Sequence, residues 1–269
     1  MEKLQAALAK ARSQRATRAG GTAPAFDRKA PRAADTPTAW ETLKRIELSP
    51  KELSKHRIVS QQAARSSSNF DVLRTKALLQ MQQNGWSRLA ITSPGSGSGK
   101  STIACNLALG LGRQSNLRTM LFDFDLGDPS VHRFFGIEHP HTLSQVLSGE
   151  VAFADHALRV SENVAVVISP VREADPTRLI LSDKMPAYLD QVQAEYQPDI
   201  MLFDLPAILS GDRARAFLKH TDCALIVARA ERTSFSDLDV TENEVAESTN
   251  VLGVVVNGCH AGAMPREEE

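Results

Sequence analysis

The sequence predicts an α/β fold: a doubly wound, mostly parallel sheet of the P-loop nucleotide-binding type, with an N-terminal extension. Three observations carry this prediction. From about residue 70 onward, short apolar runs alternate with longer amphipathic stretches. The apolar runs are continuous, as expected for strands buried on both faces of a parallel sheet. The first of them leads directly into Thr92-Ser-Pro-Gly-Ser-Gly-Ser-Gly-Lys-Ser-Thr102, a loop of small residues that opens a helix.

The elements follow in order. Residues 2–13 (EKLQAALAKARS) are good helix formers with Leu4, Leu8 and Ala11 on one face. They read as an amphipathic helix too short to stand alone, so it is expected to dock on something. Residues 14–39 are rich in Ala, Pro, Gly, Thr and Arg and read as a flexible linker; residues 40–69 are mixed. This divides the chain into a helix at 1–13, a linker and lead-in at 14–69, and a nucleotide-binding domain at 70–269. Phe70–Gln83 reads as a helix that stops at Asn84-Gly85. Strands are expected at 88–92, 119–124, 164–169, 200–205, 223–228 and 251–257, with helices at 100–114, 177–195, 211–220 and 234–248. In the first of these helices Ile103, Leu107 and Leu111 recur at four-residue spacing.

With 269 residues, 42% apolar and 5% aromatic, the chain can bury a mostly aliphatic core. Its net charge of −1 excludes an overall basic nucleic-acid binder, yet the charge is uneven. Residues 1–60 hold 13 Lys and Arg against 6 Asp and Glu, and the remainder holds 18 against 26. A basic arm on an acidic body suggests an acidic partner, an anionic membrane face or a solvated tail. Cys105, Cys223 and Cys259 are scattered and form no CxxC pair, which fits a reducing cytoplasm and excludes a disulfide framework. No apolar run approaches a membrane span, and the N-terminus lacks the apolar core of a signal peptide. A membrane link is therefore expected through a partner.

Three motifs carry chemistry. In the loop Pro94, Gly95, Ser96, Gly97, Ser98, Gly99, Lys100, Ser101 and Thr102, small residues let backbone N–H groups close on phosphate oxygens at a helix N-terminus. Lys100 is placed to reach the β- and γ-phosphates, and the Ser101 hydroxyl to ligate Mg²⁺ of bound ATP. Pro94 stands where G-x-x-x-x-G-K-[ST] has its first Gly. The second motif, Leu121-Phe-Asp-Phe-Asp125, ends the next strand with Asp123 and Asp125 at i, i+2, facing the same way from a strand. Like charges so close need a cation or a proton. Mg²⁺ is the natural cation beside a phosphate loop, and the plain alternative is a strand-end turn. The third, Ile200-Met-Leu-Phe-Asp204, is an apolar strand ending in a carboxylate, the Walker B pattern, with Asp204 toward the metal. Asn257 ends the last strand, as a reader of the base or a turn residue. Asp212, Arg213 and Arg215 open a helix, as phosphate sensors or a solvated helix start. His132, His139 and His141 read as surface histidines, and Tyr188 and Tyr196 as partly buried packing residues.

Together, LAITSPGSGSGKSTIACNLALGL, LFDFDLGDPSVHRFFG and PDIMLFDLPAILSGDRARAFLKHTDCALIVA resemble the bacterial tyrosine kinase (BY-kinase) family. FDVLRTKALLQ and DPTRLILSDKMPAYL are similar to its connecting stretches, and EKLQAALAKAR to the start of its stand-alone members. The resemblance covers roughly residues 65–258. It implies ATP and Mg²⁺ on Lys100 and Ser101, and Asp123 and Asp125 as the second Walker motif, one the base and one toward the metal, with Asp204 completing the metal site. It further implies exopolysaccharide or capsule biosynthesis, an inner-membrane polysaccharide chain-length regulator as partner, a homo-oligomer, and a cytoplasmic location peripheral to the inner membrane. The family's Asp-x-Asp-x-Arg has Gly127 in place of its Arg here, its Pro-Pro is Pro206-Ala207, and its Glu-x-x-Arg-x-x-Arg is reduced to Ser68, Asp71 and Arg74. No Tyr follows Tyr196, so tail autophosphorylation is not expected. Two alternatives stand beside a kinase-like ATPase. One is a switch ATPase of the cell-division or plasmid-partition type, whose signature loop Lys is replaced by Gly95. The other is a nucleotide-binding regulator or scaffold without catalysis.

Overall fold

The computed structural model describes residues 38–138 and 140–259, so the helix expected at 2–13 lies outside the described residues. The sheet comprises β1 (Lys44–Arg45), β2 (Arg88–Thr92), β3 (Thr119–Asp123), β4 (Leu158–Arg159), β5 (Val164–Val167), β6 (Ile200–Asp204), β7 (Cys223–Arg229) and β8 (Asn250–Asn257). Their spatial order is β1-β4-β5-β3-β6-β2-β7-β8, and each neighbouring pair is parallel except β4 with β5. This is the doubly wound sheet the sequence predicts.

The pleat sorts alternate residues of each strand onto two faces. Leu89 and Ile91 of β2, Leu121 of β3, Leu202 of β6 and Leu225 of β7 share one core with the helices Ser68–Asn84 and Lys100–Leu111. Ala90, Met120, Phe122, Met201, Phe203 and Ile226 face the other core, beneath the helices Lys184–Tyr196 and Arg213–Leu218. There Phe122, Phe124, Phe203 and Phe217 form a cluster with centroids 4.4–5.9 Å apart, in the offset and edge geometries that aromatic rings prefer. Helix Ser68–Asn84 ends where expected, because Gly85 takes the left-handed conformation (φ +68°) and returns its N–H to Gln82 and Met81. The helix expected at 177–195 is instead two, Pro176–Ile180 and Lys184–Tyr196. Asp175 caps the first through Arg178 N–H with Pro176 in its first turn, and Ser182 and Asp183 restart the chain.

The lead-in packs on this body. Trp40, Leu43, Leu53 and Ile58 are buried, and one buried side chain fastens the segment to the P-loop helix. Asn106 Oδ1 accepts from Val59 N–H (2.8 Å), Ser60 N–H (3.1 Å) and Ser60 Oγ (3.0 Å), and its Nδ2 donates to the carbonyls of Arg57 (3.0 Å) and Thr102 (2.9 Å). Truncation would strand several buried polar groups at once. Asn106→Ala is therefore expected to lower stability by about 3 kcal/mol, read as a drop in the urea midpoint at unchanged m-value.

Candidate functional site

The loop between β2 and helix Lys100–Leu111 is held in a fixed shape by its own hydroxyls and by its neighbours. Ser93 Oγ and Ser98 Oγ both donate to the Gly95 carbonyl at 2.8 Å. Gly97 (φ +75°) and Gly99 (φ +92°) occupy the left-handed region, which admits other residues only with strain. On one flank the segment after β6 is laced to the loop: Thr92 Oγ1 donates to the Pro206 carbonyl (2.8 Å), and the Ile208 N–H to the Ser93 carbonyl (2.8 Å). On the other flank Asn257, at the end of β8, donates its Nδ2 to the Ser98 carbonyl at 2.9 Å. A Cβ at Gly99 would overlap that same amide. Gly95, Ser96 and Gly97 remain exposed, whereas Pro94 and Ser98 are buried.

Lys100, at the first helical position, is 8% exposed. Its charge acts on both Asp125 and Asp204. Asp123 and Asp204 face each other in the β3–β6 register. Asp123 Oδ2 accepts the N–H groups of Ser130 (2.8 Å) and Val131 (2.9 Å), whereas its Oδ1 and both oxygens of Asp204 are buried without a hydrogen-bond partner. Burial, and then the Asp204 charge, push the Asp123 carboxyl far above the usual carboxylate range. Burial raises Asp204 as well, against the opposing pull of Lys100 and of the nearby Ser101 hydroxyl. The strand ends at Asp123, so Asp125 sits half-buried on the turn beyond it. Desolvation raises its pKa, and Lys100 and Arg213 oppose the shift.

Two buried Asp204 oxygens without partners, beside a hydroxyl and an ammonium, fit a divalent cation. Among the described residues no group of three or more His, Cys, Asp or Glu side chains forms a metal cage. The donor set suits an ion completed by phosphate and water, as Mg²⁺ is with nucleotides. The structure thus brings Lys100, Ser101, Asp125 and Asp204 together electrostatically, with Asp123 registered beside Asp204. It puts Asn257 on the loop backbone, and Thr102 contributes its carbonyl to Asn106. A cleft of about 310 Å³ borders the loop's other side, lined by Pro94, Gly95, Ser96, Ser98, Arg229, Arg232 and Thr233 among others; none of the three carboxylates lines it. Sequence reasoning missed Arg229 and Arg232, which come from the last residue of β7 and the turn after it. His132 and His141 are half-buried rather than on the open surface, and His139 lies outside the described residues.

The motifs recur among known proteins. The CobQ/CobB/MinD/ParA nucleotide binding domain family matches residues 89–268, well over half of the chain. Tyrosine-protein kinase ptk of Acinetobacter johnsonii is 27% identical over 172 residues, 63% of this chain and 22% of its own length. The chain thus spans about a fifth of that larger relative. Tyrosine-protein kinase YwqD of Bacillus subtilis (strain 168) is 27% identical over 196 residues, 72% of this chain and 81% of its own. Among solved structures, the chimerical protein CapA2B2 superposes with a TM-score of 0.68 at 24% identity, covering 80% of this chain and 92% of its own. The septum site-determining protein MinD of Pyrococcus horikoshii OT3, described in complex with Mg-ADP, superposes with 0.54 at 24% identity, covering 67% and 74%. The chain belongs to the CobQ/CobB/MinD/ParA nucleotide binding domain family, and the resemblance to bacterial tyrosine kinases holds across both sequence and fold.

The carboxylate pair makes stability depend on pH. Both groups titrate near 3.8 when unfolded, and in the folded chain Asp123 is pushed up to about 8. The folded state therefore keeps protons that the unfolded state has released. This contribution is complete below about pH 4 and is lost as pH rises toward about 8. For protein free of metal and nucleotide, urea midpoints are expected to fall between about pH 5 and about pH 8, and Asp123→Asn is expected to flatten that fall.

Proposed function

We propose that this member of the nucleotide-binding domain family binds ATP with Mg²⁺ on the loop Pro94–Ser101 and transfers the terminal phosphoryl group to a tyrosine hydroxyl of another protein. The observation that carries the proposal is Asp204, its two buried oxygens unpartnered beside Ser101 and Lys100 at the mouth of a phosphate-sized loop. Asp204 and the Ser101 hydroxyl would hold the cation, which when bound neutralises charge on the terminal phosphates. Lys100 binds the β- and γ-phosphate oxygens, and the exposed stretch Gly95–Gly97 offers its N–H groups to them. Asn257 sets the loop's shape by holding Ser98. The acceptor oxygen attacks the γ-phosphorus as the bond to the β,γ-bridging oxygen breaks, and ADP leaves. Asp125, the half-buried carboxylate whose proton affinity is raised by desolvation against the pull of Lys100 and Arg213, takes the acceptor proton; Asp123, deeper and bonded to the Ser130 and Val131 amides, fixes the turn that carries it.

An acceptor on another molecule fits the burial of the two tyrosines of this sequence, Tyr188 and Tyr196. Tyr196 is 3% exposed, and the Tyr188 hydroxyl is buried without a partner. Relatives named tyrosine-protein kinases support this reaction class. The family likeness supports exopolysaccharide or capsule biosynthesis as the setting, with an inner-membrane chain-length regulator as the partner. No helix among the described residues is long and apolar enough to cross a membrane, which is consistent with attachment through that partner. Asp71 and Arg74, the remnant of the ring motif, are engaged within the chain. Asp71 Oδ1 lies 2.6 Å from Arg113 Nη1 and 3.2 Å from Arg74 Nη1, which also reaches the Gly110 carbonyl at 3.2 Å.

The test incubates the purified chain with Mg²⁺-ATP, with and without a tyrosine-containing acidic copolymer, and follows ADP release and phosphate on the polymer. Transfer to the polymer that falls about a hundredfold or more in Lys100→Ala is the expected result. ADP release with no transfer in either condition would favour a switch ATPase. Nucleotide binding with no turnover at all would leave a regulator without catalysis.

A further inference from the structure

We propose that Arg213 is a second phosphate-binding cation of this site, delivered from the helix after β6 into a space that Gly127 leaves free for it. Gly127 lies on the turn that follows Asp125. A Cβ there would overlap Arg213 Nη1 and come within 3.0 Å of Cζ. Unlike Gly97 and Gly99, Gly127 is not in the left-handed region, so its backbone accepts any residue. A side chain at 127 would have to displace the tip of Arg213, so glycine leaves the guanidinium the place it occupies.

The guanidinium itself has no acceptor. Among the described residues Arg213 makes no hydrogen bond and no ion pair, whereas Arg215, two positions on, is paired with Glu244 at 2.5 Å. Arg213 is half-buried, and a guanidinium so placed presents five donors that call for an anion. Its position names the anion. Arg213 and Lys100 both act on the Asp125 carboxylate, so the two cations stand around one carboxylate at the carboxyl ends of β3 and β6. Arg213 enters from the β6 side of the loop, whereas Asn257 and Arg229 stand on the β7–β8 side. That places the free guanidinium at the terminal-phosphate end of a bound nucleoside triphosphate, where planar, bidentate donors suit a phosphoryl group. In the motif this chain resembles, position 127 is the arginine. Here the same charge comes from 86 residues later in the chain.

This inference rests on the loop binding a nucleoside triphosphate, and the experiment separates the two. Dissociation constants for Mg²⁺-ADP and for a Mg²⁺-bound non-hydrolysable ATP analogue are measured on the full chain. The chains compared are the wild type, Arg213→Ala, Arg213→Gln and the double variant Arg213→Ala/Gly127→Arg, each checked for folding by its thermal midpoint. Both single variants are expected to lose about tenfold or more in affinity for the ATP analogue while ADP binding stays within about twofold. The double variant, which refills the same volume from position 127, is expected to recover most of the loss. Equal losses for both nucleotides, no loss, or a folded double variant that recovers nothing would each overturn the role of Arg213. A wild type that binds neither nucleotide would overturn the reading of the loop itself.

Discussion

The structure is organised around a charge problem at the carboxyl ends of two central strands. Asp123 and Asp204 are buried in register on β3 and β6, with Asp125 just above and Lys100 and Arg213 acting on it. Carboxylates in so dry a place cannot all stay ionised without compensation. The fold supplies it in layers. The Ser130 and Val131 amides bond Asp123, Lys100 is pressed inward by the helix it starts, and Asp204 is left with both oxygens open. The two open oxygens of Asp204 leave that compensation incomplete within the chain's own groups.

That arrangement depends on the sheet, and the sheet on continuous apolar strands. β2, β3, β6 and β7 are legible because burial on both faces removes the polar alternation that a half-exposed strand would show. The helix stop at Gly85 and the phosphate loop were legible for a local reason: left-handed backbone asks for glycine in the sequence itself. β1 and β4, two residues each, were not, because no periodicity fits in two positions. The break between the helices at 176–180 and 184–196 was hidden because the amphipathic pattern runs across it.

The candidate site divides along the same line. Lys100, Ser101, Asp123, Asp125 and Asp204 stand at strand ends or a helix start and were readable from position alone. The link from Asn257 to Ser98, the lacing of Thr92 to Pro206 and the arginines that close β7 arise from long-range packing. No local pattern encodes them. Asn106 shows the limit most plainly. Within the helix 100–111 it breaks the apolar face, and only the folded lead-in explains why a polar side chain belongs there.

The bond between Asn257 and Ser98 joins positions 159 residues apart. The loop backbone is braced by β8, the last strand of the described sheet to be synthesised. While the chain is still emerging from the ribosome, β2 and its glycine-rich loop exist long before that brace can form. The loop is thus braced late in biosynthesis, only after the chain through β8 has been made.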